Sequence, residues 1–561
     1  MTERIEAKAI SVVLIVVVLL VFTLSSGASA MEGWTKSGLQ SPLLASTPTT
    51  VRLNLGPDDP VIDPVDVNYG GSAGLLVDNQ LFIGLTKFDD FNITIEPHLA
   101  SSWVQNGPAT EFTFTLRSDV DWTDGSPVTA DDVRYGILRS LDPATPSPLA
   151  YVLDVIHNAQ EYREGTITDP ALVGVTVLDP THIRFDLRES ASHFPVIMAS
   201  PPARPMPEGA ITTYGSSWTE PANIVTNGAY ELTEWIHGTS MTLDKNPDYF
   251  DASEVQIETI EFFIVDEATA WTMYQSGLLD SVHVPEGEWA GAMGNPALQD
   301  LLHRAYRQCT YYYGFNMSKV PFDDPLVRKA FTAAIDRQGL IDTVMNGIPS
   351  STLTYASPTM IGYVDGVSQG IGIPYDPTQA QTWLSDAGYP GGAGFPPVTL
   401  MYNDSAGHDV IAAFARQNWI DNLGVTVTLD DLPWEEYQDL LSTDPPQIFR
   451  LGWCADHYDA INFLGDGVNP TFFGGWSNVS YNNLVALAAQ APDESSRVAL
   501  YPALEEILVE IDVIMAPLYS YAYGMATDPH LIRSYSLGGY GGHIEDWILM
   551  NQEIFLPLIM R

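Results

Sequence analysis

Two short runs concentrate the residues able to do chemistry. They are Arg307-Gln308-Cys309-Thr310-Tyr311-Tyr312-Tyr313 and Arg450-Leu451-Gly452-Trp453-Cys454-Ala455-Asp456, and between them they hold both cysteines of the chain. If the chain is exported, Cys309 and Cys454 form one structural disulfide; two buried free thiols are the competing reading. In the second run, Gly452 allows close backbone approach beside the Trp453 ring. Cys454 fixes the strand, and Asp456 follows on the same side as Cys454 if the strand continues. An anchored carboxylate at 456 can pair with a ligand ammonium, with Trp453, Trp434 and Tyr311 as apolar or cation-π surface. Arg450 can receive a carboxylate in bidentate fashion. This chemistry is that of a receptor for a small polar ligand rather than of an enzyme, and its plain rival is an aromatic core with surface salt bridges.

Other chemistries find weaker support. The histidines are scattered, without HExxH spacing or a close His/Cys cluster, and two cysteines cannot build a four-cysteine zinc site. Asp119, Asp121 and Asp124 lie close together, but Gly125 is one position late for an EF-hand loop, so a solvated turn is expected there. Gly70-Gly71-Ser72-Ala73-Gly74 matches the esterase pattern GxSxG without a strand before it. With 70 acidic residues in the chain, no Asp/Glu pair stands out as a hydrolase dyad. No cofactor is expected.

The elements that position these residues begin with an export signal. Arg4 and Lys8 precede an apolar run from Ala9 to Leu24, and Ala28 and Ala30 provide the small residues of a cleavage site. A retained anchor is the alternative, since the run approaches the lower limit for crossing a bilayer. No cysteine follows the run to carry a lipid. The remaining chain, about 530 residues, exceeds one core and calls for two or three domains. A formal charge of -46 repels nucleic acid and anionic headgroups.

Residues 31 to 50 read as a flexible leader, followed by a strand at Val51–Leu55 and a helix over Leu75 to Leu85. Glu111–Leu116 alternates polar and apolar, as a half-buried strand does. Thr129 caps a helix with carboxylates in its first turn, placing Val133, Ile137 and Leu138 on one stripe and Tyr135 elsewhere. Strand pairs are expected around 173 to 187 and 230 to 245. A long helix is expected from Asp324-Pro325, with Arg328, Lys329 and Arg337 on its wet face. Val398–Tyr402, a helix near 408 to 422 and Val425–Leu429 form a strand, helix, strand unit of an α/β lobe.

Separated motifs then carry a resemblance over residues 51 to 560. They are Asp121-Trp122-Thr123-Asp124-Gly125-Ser126-Pro127-Val128-Thr129-Ala130-Asp131-Asp132-Val133, Asn227-Gly228-Ala229-Tyr230-Glu231-Leu232, Asn246-Pro247-Asp248-Tyr249, and Phe322-Asp323-Asp324-Pro325-Leu326-Val327-Arg328-Lys329-Ala330-Phe331. The chain resembles the periplasmic oligopeptide- and dipeptide-binding proteins of ABC importers, the large solute-binding class known as family 5. The resemblance implies a two-lobed α/β periplasmic-binding-protein-like fold, type II-like, in its three-domain variant with a central ligand cleft. The implied parts are a signal peptide (1–30), a leader (31–50), an amino-terminal lobe (51–307) with an extra domain at about 75–205, a second lobe (308–523) and a return segment (524–561).

Both cysteine segments resemble the disulfide-bearing segments of the oligopeptide-binding branch. The resemblance makes Asp456 the anchor of the peptide α-ammonium and places Cys454 beside it. Arg450 and His408 resemble positions that meet peptide carboxyl termini, and Trp434, Trp453, Tyr135 and Tyr311 resemble pocket walls. The implied partners are a short peptide and the membrane permease, for a monomer acting outside the cytoplasm. Other ligands carried by this fold, oligosaccharides and metal chelates, are the alternative within it, and a secreted hydrolase is the alternative outside it. Gly314 stands where the familiar oligopeptide binder has an acid, and Phe82-Ile83-Gly84-Leu85 replaces a frequent Phe-Glu-Gly-Leu, so pocket electrostatics differ from the pattern.

Overall fold

The computed structural model describes residues 50–67, 72–405, 407–528 and 542–548. The expected signal peptide, nearly all of the leader, Gly70 and Gly71 of the GxSxG match, and most of the return segment lie outside the described residues. No helix among the described residues is long and apolar enough to cross a membrane.

Two large groups of apolar side chains divide the chain. The first runs from Val51 to Ile264 and includes Ile544 and Trp547 from the return segment. Its supports are a four-stranded sheet that includes Thr50–Gly56 and Thr259–Ile264 in parallel, and a second four-stranded sheet that includes Glu111–Leu116. The alternation at 111–116 is realised residue by residue, with Phe112, Phe114 and Leu116 buried. Helix Ala130–Leu141 opens with a capping box: the Thr129 backbone N–H and hydroxyl both donate to Asp132 Oδ2 at 2.7 Å. Its buried stripe holds Val133 and Ile137, with Tyr135 half-buried on another face.

The second division spans 311 to 519 and packs on both faces of a seven-stranded sheet. At its centre, Leu302–Phe315 pairs antiparallel with Met515–Thr527 on one side and Ile448–Cys454 on the other. Val398–Asn403 and Val427–Leu432 pair in parallel around helix His408–Leu423, the expected strand, helix, strand unit. The ladder between Leu302–Phe315 and Met515–Thr527 breaks register between Tyr306 and Thr310. On the amino-terminal side of that break, the same two strands are covered by a smaller cluster containing Trp271, Val282 and Trp289.

Two expectations are corrected. The helix from Asp324-Pro325 is short, Pro325–Ala333, and a separate helix Arg337–Thr343 follows. Arg328 and Arg337 are buried, 5% and 4% exposed, rather than wet. Arg328 donates to the carbonyls of Phe322, Asp512 and Val513, and Arg337 Nε donates to the Pro517 carbonyl at 2.7 Å. Backbone oxygens left over where chain segments end satisfy these guanidinium donors in place of water.

Glu505 is the other buried charge carrier, 0% exposed. It accepts from the backbone N–H groups of Tyr355 and Ala356, each at 2.8 Å. Burial nevertheless pushes its carboxyl from the usual 4.5 up to about 7. Because the folded value is the higher one, the stability linked to this group is fully present below about pH 4.5 and is lost as pH rises through 7. We expect the thermal midpoint to fall between pH 5 and 8 and Glu505→Gln to lessen that fall, by about 1–3 kcal/mol between its ends. Calorimetric scans of both proteins across that range check this.

Candidate functional site

The strand Ile448–Cys454 lies between two neighbours but is only half enclosed. On one edge it pairs with Leu302–Phe315 along its full length, with Cys309 opposite Cys454, Tyr311 opposite Gly452 and Tyr313 opposite Arg450. On the other edge Val398–Asn403 pairs only with Ile448 and Phe449. Among the described residues, no strand continues that edge along Gly452–Cys454. An unfilled row of backbone donors and acceptors is therefore left beside the residues singled out in the sequence.

Cys309 and Cys454 form a disulfide between directly opposed strand residues, with a Cα–Cα distance of 4.0 Å. The strand stops at Cys454, so Asp456 does not continue its face; the expected strand placement is corrected to a turn. Asn462, 1% exposed, holds that turn. Its side-chain oxygen accepts from the Asp456 backbone N–H at 3.1 Å and from Trp453 Nε1 at 2.9 Å. Its amide nitrogen donates to Asp456 Oδ2 and to Asp466 Oδ2, each at 3.3 Å. Asp456 Oδ1 accepts from the Tyr151 hydroxyl, which comes from the amino-terminal division. Among the described residues, no lysine or arginine lies within ion-pair distance of Asp456.

Arg450 heads a second group. Its guanidinium is 4.6 Å from the centre of the Tyr311 ring, and its terminal nitrogens donate to Asn403 Oδ1 at 3.1 Å and to the Tyr521 hydroxyl at 2.9 Å. It is 9% exposed and, among the described residues, has no carboxylate partner. Tyr311 stacks on Tyr519 at 4.9 Å, and His408 stands 5.6 Å from Tyr311. His408 is the first residue of helix His408–Leu423. Burial first, and the Arg450 charge second, lower its pKa from 6.5 to about 4.

The structure thus brings Tyr311, His408 and Arg450 together, and sets Trp453, Cys454 and Asp456 at the other end of the same strand segment. Trp434 stands 43% exposed at the start of helix Trp434–Thr443, linked to the group through Tyr437, whose hydroxyl donates to the Arg450 carbonyl at 2.7 Å. Tyr135 is not joined to them. It lines a cavity of about 850 Å³ with Asp63, Arg139 and Trp218, all from the amino-terminal division. Asn462, Tyr151, Tyr519 and Tyr521 escaped the sequence reading. The alternation Tyr519-Ser520-Tyr521-Ala522-Tyr523 was a usable signal for two of them, whereas the Tyr151 contact spans 305 residues and left none.

A half-open strand between an uncompensated acid and an uncompensated guanidinium, inside a mixed α/β body of several domains, defines a solute-binding protein. The profile of bacterial extracellular solute-binding proteins, family 5 (middle region), matches residues 94–474. The chain is 31% identical over 514 residues to the periplasmic oligopeptide-binding protein OppA of Escherichia coli K12, covering 89% of this chain and 91% of that one. Among solved structures, the periplasmic murein tripeptide-binding protein MppA in its unliganded open form aligns with a TM-score of 0.82 at 28% identity, over 90% of this chain and 98% of that one. The Haemophilus influenzae OppA complex with RPPGFSPFR aligns with a TM-score of 0.61 at 25% identity, over 90% and 100%. The chain belongs to the family 5 bacterial extracellular solute-binding proteins.

The lowered value of His408 has a direct consequence: the ring is neutral above about pH 4. Its imidazole resonances in the ligand-free protein are expected to stay unshifted between pH 5.5 and 8 in an NMR titration, and a midpoint near 6.5 would contradict the packing against Arg450.

Proposed function

We propose that this chain is an extracytoplasmic receptor that captures short peptides between two lobes and delivers them to the permease of an ABC importer, without altering a bond. The observation that carries this reading is the open edge at Gly452–Cys454, flanked by Asp456 and Arg450. A peptide is a strand with a cation at one end and an anion at the other. Main-chain pairing at that edge accepts it whatever its side chains, while the two protein charges meet its termini. Asp456 takes the ammonium. Arg450 takes the carboxylate, with neutral His408 as a further hydrogen-bonding group for other peptide lengths. Trp453, Trp434 and Tyr311 wall the side-chain space, and Cys454 holds the strand end beside the anchor.

In this reading the lobes comprise 51–307 with 524–561, and 308–523. The register break between Tyr306 and Thr310 supports a hinge there. The much higher similarity to an unliganded open form than to a peptide complex supports an open, empty receptor. Ligand then favours closure by contacting both lobes at once, and Tyr135 approaches the peptide only in the closed form. The names of the relatives, periplasmic and oligopeptide-binding, support export and a location outside the cytoplasmic membrane. We take the receptor to act as a monomer.

Replacing Asp456 by Asn removes the charge partner of the amine and is expected to weaken binding of a free tripeptide by roughly 2–5 kcal/mol, if that pair is buried in the complex. Isothermal titration of both proteins with the same peptide decides it, and equal affinity would reject the assignment. A neutral oligosaccharide bound as tightly as the peptide would redirect the reading to sugars.

A further inference from the structure

Asp456 is held from both divisions of the chain. Asn462 binds one carboxylate oxygen from its own division. The other oxygen accepts from Tyr151, which sits on the short helical turn Ala150–Val155. Ala150, Val152 and Leu153 of that turn are buried in the amino-terminal core, so Tyr151 has a fixed base.

The neighbourhood of this bond is already closed. The ring of His193 stacks on His457 with centroids 5.0 Å apart, and Phe88 stacks on Tyr458 at 3.9 Å. Arg497 donates to the Ser192 carbonyl at 3.0 Å and pairs with Asp459 at 2.7 Å, with both charged side chains almost fully buried. Ser192 donates in turn to the carbonyls of Ala488 and Ala489. These contacts lie one to three residues beyond Asp456 on its side, and they persist in a structure that aligns best, among the two structures compared, with an unliganded open form. A rotation of the two bodies about this edge leaves the spacing of Tyr151 and Asp456 nearly unchanged while the far side of the cleft opens widely.

We infer that Tyr151 is a specificity-determining partner of Asp456, one that completes the pocket for a ligand's primary ammonium before the lobes close. The inference rests on the peptide-receptor reading. A phenol oxygen that donates to a carboxylate keeps its lone pairs, and each carboxylate oxygen keeps one acceptor site after its first hydrogen bond. An ammonium with three donors can therefore bond to the Asp456 carboxylate and the Tyr151 oxygen together. An acylated amine has one N–H and no charge, and gains little from either group. The local field agrees: Asp456 and Glu189 both raise the carboxyl of Asp466, which shares the Asn462 amide with Asp456.

The test is isothermal titration of wild type, Tyr151→Phe and Asp456→Asn with trialanine and with N-acetyl-trialanine. The Tyr151 side chain is 43% exposed, so the phenylalanine variant should keep its thermal midpoint. Its affinity for trialanine should fall about tenfold, the size of a hydrogen bond to a charged group, while its affinity for the acetylated peptide stays within about twofold. Equal losses for both peptides, or no loss for trialanine, overturn the inference. If Asp456→Asn abolishes the preference for the free amine and Tyr151→Phe leaves it whole, the site assignment stands and Tyr151 alone is excluded. If wild type shows no preference for the free amine, the site assignment itself falls, and this inference with it.

Discussion

The antiparallel ladder between Leu302–Phe315 and Met515–Thr527 is the constraint on which the other features depend. Its two strands cross from the cluster around Trp271 and Trp289 into the large second core, and each carries functional side chains near the middle. One supplies Tyr311 and Cys309, the other Tyr519 and Tyr521. Ile448–Cys454 is laid against the first of these strands, which places Arg450 above Tyr311 and within reach of the Tyr521 hydroxyl. Backbone hydrogen bonds, rather than the site residues themselves, thus set the geometry of the site. This is why a cluster of aromatic rings and one guanidinium can be held open without a ligand.

Charge in this molecule is distributed with a purpose that net composition hides. The arginines deepest in the chain are satisfied: Arg328 and Arg337 by carbonyls, Arg204 by Asp78 and Arg497 by Asp459. Arg450 differs in resting on tyrosines and an asparagine, with no acid among the described residues. Asp456 differs likewise among the acids near the strand end. Burying an unmatched charge costs free energy unless polar groups or solvent compensate it. Here neutral hydrogen-bonding groups carry part of that cost, and a zwitterionic ligand supplies the remaining charge.

Much of this was legible in the sequence wherever the cause is local. Thr129 with Asp132 marks a helix start, Glu111–Leu116 marks a half-buried strand, and the unit at 398 to 432 marks an α/β sheet, because capping and alternation act over a few residues. The pairing of the two cysteine runs was readable as an alternative, since only two cysteines exist. Burial of Arg328 and Arg337 was not readable, because the carbonyls that accept from them arrive some 180 residues later in the chain. The end of the strand at Cys454 was hidden for a similar reason: Asn462, eight positions on, folds the chain back and takes over the Asp456 backbone N–H. Tyr151 was out of reach altogether, since nothing in its own segment advertises a carboxylate 305 residues away.

The cross-link deserves to be seen from the standpoint of fraying. Cys454 is the last residue of its strand, exposed, and immediately followed by the turn that bears Asp456. Strand ends are where a ladder peels first, and here peeling would carry the acid away with it. A covalent rivet at the terminal pair, joining residues 145 positions apart, leaves the paired geometry as the ladder made it. What it removes is the loose end.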